Sequence, residues 1–139
     1  MKTIYHVFFI SLLFISGCDS AVKTSDIDQE IIQTLDNYFD GRRQADISKL
    51  SKAFAENARL ETVDAEGKVM NITLKDYFTV VKNKGKVTVK TQIVYLSISG
   101  KIAMAQTRFD YGDKIYLDYL TLLKSDKGWR ISNKAFTKL

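Results

Sequence analysis

Hydrophobic positions along the first half of the chain follow a helical spacing. Between residues 27 and 38 they recur at intervals of four, four and three, which predicts an amphipathic helix. Ser25 and Asp26 are suited to cap the start of this helix, and Gly41 is suited to end it. Asp46 is predicted to start a second, shorter helix that continues the apolar stripe.

The spacing changes from helical to alternating after a third predicted helix, which begins at a capping box formed by Thr73 and Asp76. The alternating stretches are rich in β-branched and aromatic residues and are separated by short turns, as in an antiparallel meander. The predicted strands are residues 87–98, 102–111, 115–124 and 129–137, with a smaller hairpin of 59–63 and 68–72. Helices followed by strands predict an α+β fold, in which the helices cover one face of a curved sheet.

The beginning of the chain has the order of a bacterial lipoprotein signal. Lys2 precedes an apolar run to residue 15, which is too short to cross a bilayer as a helix, and residues 15–18 match a lipobox. We expect cleavage before Cys18 and lipid attachment to its sulfur. The alternative is an ordinary secretory signal with an incidental cysteine.

This processing divides the chain into three parts. Residues 1–17 are the signal, 18–25 the lipidated cysteine and tether, and 26–139 a single domain. By resemblance to the enterobacterial sorting rule, Asp19 favours retention in the inner membrane, facing the periplasm, if the source is Gram-negative. Removal of Lys2 lowers the net charge from +5 to +4, carried mostly by scattered lysines, so no nucleic-acid partner is expected.

Processing also restricts the available chemistry. It removes His6, the only histidine, and lipidation occupies the only thiol. Ser-His or Cys-His catalysis, histidine acid/base work and His/Cys zinc sites then lose their residues. Asp36 and Asp40 lie one helical turn apart, a pattern more typical of a solvated surface than of a metal site, and the sequence has no glycine-rich phosphate loop. We therefore expect no metal and no cofactor.

Asp118 is the candidate for chemistry, because strand pairing places it on an apolar face. If residues 112–113 form a two-residue turn, Thr107 lies opposite Asp118. A carboxylate buried there without a partner would be suited to act as a general base or as a hydrogen-bonding anchor for a ligand. The alternative is a structural role, in which Asp118 pairs with Lys134, Arg108 or a hydroxyl group.

Two stretches resemble a known family. The sequence DNYFDG at residues 36–41, with the apolar residues that follow Asp46, resembles the opening of the putative lumazine-binding branch of the nuclear transport factor 2-like superfamily, near the SnoaL-like proteins. Residues 118–124 and 128–136 resemble its closing hairpin. The resemblance covers about residues 27–138 and implies a cone-shaped fold, with three helices packed on a curved, mainly antiparallel sheet. Because enzymes of the superfamily often use a pocket aspartate, it also implies an isomerase or dehydratase as an alternative function.

A cone of this kind would have a pocket between the sheet and the helices. Aromatic residues at helical or alternating spacing more often form a core than a ligand site, which is the alternative for each candidate. Arg42 and Arg43 follow the expected helix end and are predicted to lie in a solvated loop, with contact to a partner or an anionic ligand as the alternative. The candidates for the pocket are Tyr38, Tyr77, Phe78, Tyr95, Phe109, Tyr111, Tyr116 and Asp118.

These observations favour a lipid-anchored, non-catalytic domain of the cell envelope. The missing histidine and thiol disfavour most enzyme mechanisms, and a short tether suits capture of a ligand or partner at the membrane surface. The expected partners are the membrane, a small apolar or aromatic ligand, and a second copy of the chain on the open sheet. A carboxylate-dependent isomerase or dehydratase and an assembly module of an envelope complex are the alternatives.

Overall fold

The structure, a computed structural model, describes residues 29–139. Within that range the helices are α1 (Gln29–Gln44), α2 (Ile47–Ala53) and α3 (Leu74–Lys84). The strands are β1 (Phe54–Val63), β2 (Val69–Thr73), β3 (Lys90–Ser99), β4 (Ile102–Asp110), β5 (Ile115–Ser125) and β6 (Gly128–Lys138). The predicted signal at residues 1–17, the lipid site at Cys18, the tether to residue 25 and the helix cap at Ser25 and Asp26 lie outside the described residues.

The six strands of this part of the chain form one sheet in the order β2-β1-β6-β5-β4-β3. β3 to β6 form the predicted antiparallel meander, and β1 and β2 form the predicted hairpin. β1 is longer than predicted, because it also runs parallel to β6, where Phe54 lies beside Ile131. The prediction of an α+β fold with a curved, mainly antiparallel sheet is confirmed.

The register between β4 and β5 also agrees with the sequence. The N–H of Tyr111 donates to the carbonyl oxygen of Lys114 at 3.0 Å and closes the predicted turn at residues 112–113. Thr107 therefore lies opposite Asp118. Both residues are buried on the inner face of the sheet, the face that the helices cover.

The hydrophobic core lies between this inner face and the helices. Ile31 and Leu35 from α1 and Leu50 from α2 are fully buried, together with Trp129 and Ile131 from β6. Burial of each such side chain stabilises the fold by about 1.5 to 3 kcal/mol. Among residues 29–139, no helix is both long enough and apolar enough to cross a membrane.

Gly41 does not end α1, contrary to the prediction. The helix continues to Gln44, and Ala45 ends it with a φ of 54°, in the left-handed region. The N–H of Asp46 then donates to the carbonyl oxygen of Gly41 at 3.0 Å, the hydrogen bond of a Schellman motif. The helix end is thus one turn later than the glycine suggested.

Gly41 instead allows α2 to approach α1. A Cβ atom at this position would lie 2.7 Å from Cγ of Leu50, which is closer than van der Waals contact allows. Because α1 continues past Gly41, Arg42 and Arg43 belong to the helix, and the prediction of a solvated loop is wrong.

The other two helices begin where predicted. The Asp46 side chain accepts a hydrogen bond from the N–H of Lys49 at 3.1 Å at the start of α2. The Thr73 hydroxyl accepts one from the N–H of Asp76 at 3.1 Å at the start of α3. α3 follows the β1-β2 hairpin directly and covers the part of the inner face that α1 and α2 leave open.

Candidate functional site

A cavity of about 420 Å³ lies between the inner face of the sheet and helices α1 and α3. Apolar side chains of β1, β2 and α3 form one part of its wall, and aromatic side chains from α1, β4 and β6 form another. Its volume lies in the range of small-molecule sites. Of the residues predicted to line a pocket, the structure brings together Tyr38, Tyr77, Phe109, Tyr111, Tyr116 and Asp118.

Asp118 is buried in this wall with Tyr38 and Lys134. The Tyr38 hydroxyl donates to Oδ2 of Asp118 at 2.5 Å. Nζ of Lys134 lies 3.2 Å from the same oxygen and donates to the Tyr38 hydroxyl oxygen at 2.5 Å. Asp118 pairs with Phe136 across β5 and β6, so Lys134 is its diagonal neighbour on the same face. The three polar groups form a closed triangle.

Asp118 therefore has the partners that a structural role requires. Two of the three predicted partners, Lys134 and a hydroxyl group, are present. Arg108, the third, lies on the outer face and pairs with Asp110 at 3.0 Å. Because Lys134 balances the charge of Asp118, the carboxylate is compensated inside the wall.

The Lys134 ammonium is also enclosed by aromatic rings. Its Nζ lies 4.8 Å from the ring centre of Phe136, 5.1 Å from those of Tyr38 and Tyr77, and 6.0 Å from that of Phe109. Rings at such distances attract a cation through their negative faces. This enclosure was not predicted, because its members come from α1, α3, β4 and β6, and strand register alone could not bring them together.

Burial changes the proton affinities of this cluster. Burial, and then the charge of Asp118, raises the pKa of Tyr38 well above its ordinary value of 10.0. The same two causes raise the pKa of Tyr77. Burial lowers the pKa of Lys134, although the charge of Asp118 acts in the opposite direction. Both tyrosines are therefore protonated at neutral pH and poorly suited to act as bases.

Arg42 lines the same cavity, one helical turn after Tyr38. Its exposed fraction is 8%, and its guanidinium carbon lies 5.5 Å from the ring centre of Tyr111. Among residues 29–139, Nη1 of Arg42 has no hydrogen-bond partner. A signal for this position was present: Ile31, Leu35, Tyr38 and Arg42 follow intervals of four, three and four, which place Arg42 on the buried stripe.

Cationic side chains outnumber carboxylates around the cavity. The charged residues that line it are Arg42, Lys84, Lys114, Lys134 and Asp118. Lys134 balances Asp118, and Lys114 lies 3.4 Å from Asp113. Arg42 and Lys84 are therefore the main source of excess positive charge in an otherwise largely apolar site.

Tyr95 does not line the cavity, contrary to the prediction. A β-bulge after Ile93 shifts the register, so that Ile93 pairs with Thr107 but Tyr95 pairs with Gln106. Tyr95 is therefore turned to the outer face of the sheet, where 58% of it is exposed. Phe78 also lies outside this cavity, in a second groove between α2 and α3.

Comparison with known families agrees with this architecture. The model of the family described as putative lumazine-binding matches residues 26–137. The chain belongs to this family. No curated protein matches the chain.

Solved structures that resemble this putative lumazine-binding domain include nuclear transport factor 2-like proteins. A protein of unknown function from Shewanella baltica has a TM-score of 0.74 at 24% identity, over 80% of this chain and 92% of its own. A protein of unknown function from Methylobacillus flagellatus has a TM-score of 0.73 at 24% identity, over 86% of this chain and 96% of its own. The CaMKII hub of S. rosetta has a TM-score of 0.58 at 13% identity, over 80% of this chain and 95% of its own. Likeness at these identities establishes the fold, and a function has to be argued from the site.

Proposed function

We propose that this domain binds a small aromatic or apolar ligand in the cavity and does not change it chemically. The observation that carries the proposal is the cavity of about 420 Å³ itself, with ring surfaces from Tyr38, Tyr77 and Phe109. Such rings offer a planar ligand a large contact area. The family description, putative lumazine-binding, supports a planar heteroaromatic ligand.

The surroundings of Asp118 support binding rather than catalysis. A general base has to reach the proton that it abstracts, whereas Tyr38 and Lys134 both engage Oδ2 of Asp118. The alternative is an isomerase or dehydratase that uses this carboxylate. Turnover of any substrate that Asp118→Asn abolishes, in a folded variant, would overturn the proposal of binding alone.

The domain is, in this proposal, held at the cell envelope by a lipid on Cys18 and faces the periplasm from the inner membrane. The lipobox at residues 15–18, the preceding apolar run and Asp19 support this location. Two or three acyl chains give a stable anchor where one would not. A tether at residues 18–25 spans at most about 28 Å when fully extended, so the cavity would stay close to the bilayer.

Native mass spectrometry of the full-length protein, purified from membranes in mild detergent, tests both parts of this proposal. We expect the mass of residues 18–139 plus a lipid, and a further small mass that is released on activation. Cys18→Ser should lose the lipid mass and the membrane association, whereas Ser20→Ala should keep both. An unlipidated wild-type chain would contradict the anchor. A chain that carries no small molecule and binds no aromatic probe would contradict the binding role.

Assembly is the second candidate function, because the outer face of the sheet exposes large apolar side chains. This outer patch consists of Tyr95, Ile102, Met104, Tyr119 and Leu123, each between 45% and 60% exposed. Contiguous apolar surface of this kind is typical of protein contacts. We favour a second copy of the chain as the occupant. A twofold axis would place the outer patches of the two copies against each other, so that each covers the apolar side chains of the other.

A further inference from the structure

We propose that Arg42 binds an acidic group of the ligand, so that the cavity takes a small aromatic or apolar molecule that carries a carboxylate. This rests on the proposed function and names the ligand class for the same cavity. It joins two observations: Arg42 lines the cavity, and its Nη1 is buried with no hydrogen-bond partner in the described part of the chain.

The protein does not balance the charge of Arg42 in the way it balances Lys134. Arg42 is more than nine-tenths buried. Asp40, on the same helix, contacts Arg43 at 3.0 Å, and Asp118, in the cavity, contacts Lys134 at 3.2 Å. A buried charge without a counter-ion is unfavourable, so a ligand carboxylate would compensate a cost that the protein alone leaves in place.

The chemistry of the guanidinium favours a carboxylate over a neutral polar group. Its planar fork donates two parallel hydrogen bonds to the two oxygens of a carboxylate, and both bonds are charge-assisted. The Tyr111 ring, 5.5 Å from the guanidinium carbon, supports the group through a cation-π contact. Lys84, which also lines the cavity, adds positive charge.

The remaining wall is suited to the apolar body of the same ligand. Tyr77 and Phe109 contribute rings to the cavity, and Leu60 and Ile72 contribute aliphatic surface. These side chains can contact a ring system while Arg42 holds the acidic group. The ligand class that results is an aromatic or apolar acid.

Two probes with the same ring system, one carrying a carboxylate and the other a neutral carboxamide, test this inference. Calorimetric titration of the full-length protein in lipid nanodiscs, with empty nanodiscs as the blank, would compare 2-naphthoate with 2-naphthamide. Charge-assisted hydrogen bonds contribute about 1.5 to 3 kcal/mol, so we expect 2-naphthoate to bind at least about tenfold more tightly. Arg42→Met should remove this preference, so that the two probes bind within about twofold of each other. Arg108→Met, which removes a cation from the outer face, should change neither the affinity for 2-naphthoate nor that for 2-naphthamide.

The outcomes separate this inference from the proposed function. Equal affinity of the unaltered protein for both probes would overturn the role of Arg42 and leave the binding cavity standing, and this comparison needs no variant. A preference that survives Arg42→Met in a folded protein would overturn it as well. If Arg42→Met does not fold, Arg42→Lys, which keeps the charge without the fork, should weaken 2-naphthoate binding selectively. Binding of neither probe would overturn both proposals.

Discussion

Asp118 and Lys134 form a buried ion pair, and at the scale of the residue this predicts strong coupling between them. Asp118→Asn leaves a buried ammonium without its counter-ion, and Lys134→Met leaves a buried carboxylate with only the Tyr38 hydroxyl. Each change is expected to cost about 3 to 5 kcal/mol of unfolding free energy. The double variant should lose clearly less than the sum of the two, as measured by urea denaturation.

An exposed ion pair on the same sheet provides the matched control. Arg108 and Asp110 lie 3.0 Å apart with about a third of each side chain exposed. Asp110→Asn should cost less than about 1 kcal/mol. Additive losses at Asp118 and Lys134, or losses as small as that of the control, would contradict a coupled buried pair.

The buried tyrosines predict a loss of stability in alkali. The pKa values of Tyr38, Tyr77 and Tyr111 are raised in the folded state, with burial as the largest cause in each case. Above the ordinary pKa of 10.0 the unfolded chain loses these protons while the folded chain keeps them, so the unfolding free energy falls as pH rises. Lys134 acts in the opposite direction: its lowered folded pKa adds stability as pH rises toward 10.5.

Tyr77→Phe separates this titration from simple packing. It removes one ionisable group and keeps the ring, so the decline of unfolding free energy above about pH 10 should become shallower. Phe109→Leu perturbs the same wall but removes no titrating group. It should lower the unfolding free energy at every pH and leave the slope of its decline with pH unchanged. Urea denaturation between about pH 9 and pH 11.5 gives both slopes. Identical slopes for Tyr77→Phe and the wild type would contradict the assignment.

The contact between α1 and α2 gives a prediction at the scale of the element. Replacement of a glycine by alanine inside a helix normally stabilises the helix by about 1 kcal/mol. At Gly41, however, a Cβ would lie 2.7 Å from Leu50, so Gly41→Ala should destabilise the protein by about 1 to 3 kcal/mol. Thermal unfolding measures the difference. Gln33→Ala, at an exposed position of the same helix, should stay within about 0.5 kcal/mol of the wild type, whereas a stabilised Gly41→Ala would contradict the packing role.

The elements also show what local sequence can and cannot specify. The starts of α2 and α3 were predicted correctly, because a capping side chain acts within three residues. The end of α1 was predicted wrongly. A glycine can end a helix or allow a second helix to approach closely, and only the position of Leu50 shows that Gly41 has the second role. Tyr95 was misplaced because one extra residue in β3 reverses the faces of the strand, and no local signal marked the bulge.

At the scale of the whole molecule, the outer patch predicts self-association. A charge placed in its centre, Met104→Asp, should shift the protein toward monomer in sedimentation equilibrium, because association would bury the carboxylate against apolar side chains. Val69→Asp is the matched control, since Val69 is also 60% exposed but lies on edge strand β2. A wild-type protein that stays monomeric at high concentration would contradict the prediction.

The candidate site was predictable where it depends on strand register and not where it depends on packing between elements. The predicted turn at residues 112–113 set the strand register that places Asp118 on the inner face, and its pairing with Lys134 was among the alternatives. The hydroxyl of Tyr38 reaches Asp118 from a helix 80 positions earlier, a distance that no sequence spacing encodes. Arg42 was assigned to a loop because the helix was ended one turn too soon.

The parallel pairing of β1 with β6 joins strands that are far apart in the sequence. Among residues 29–139, β6 is synthesised after the other five strands, so β1 has no neighbour on that side until β6 has been made. Such distant pairing has a high loop-closure cost and is expected to form after the local meander. Tyr38, from α1, and Lys134, from β6, meet in the cavity wall. A nascent chain that stops before β6 therefore lacks both the continuous sheet and the cavity, and ligand binding would report that β6 had been made and had paired with β1.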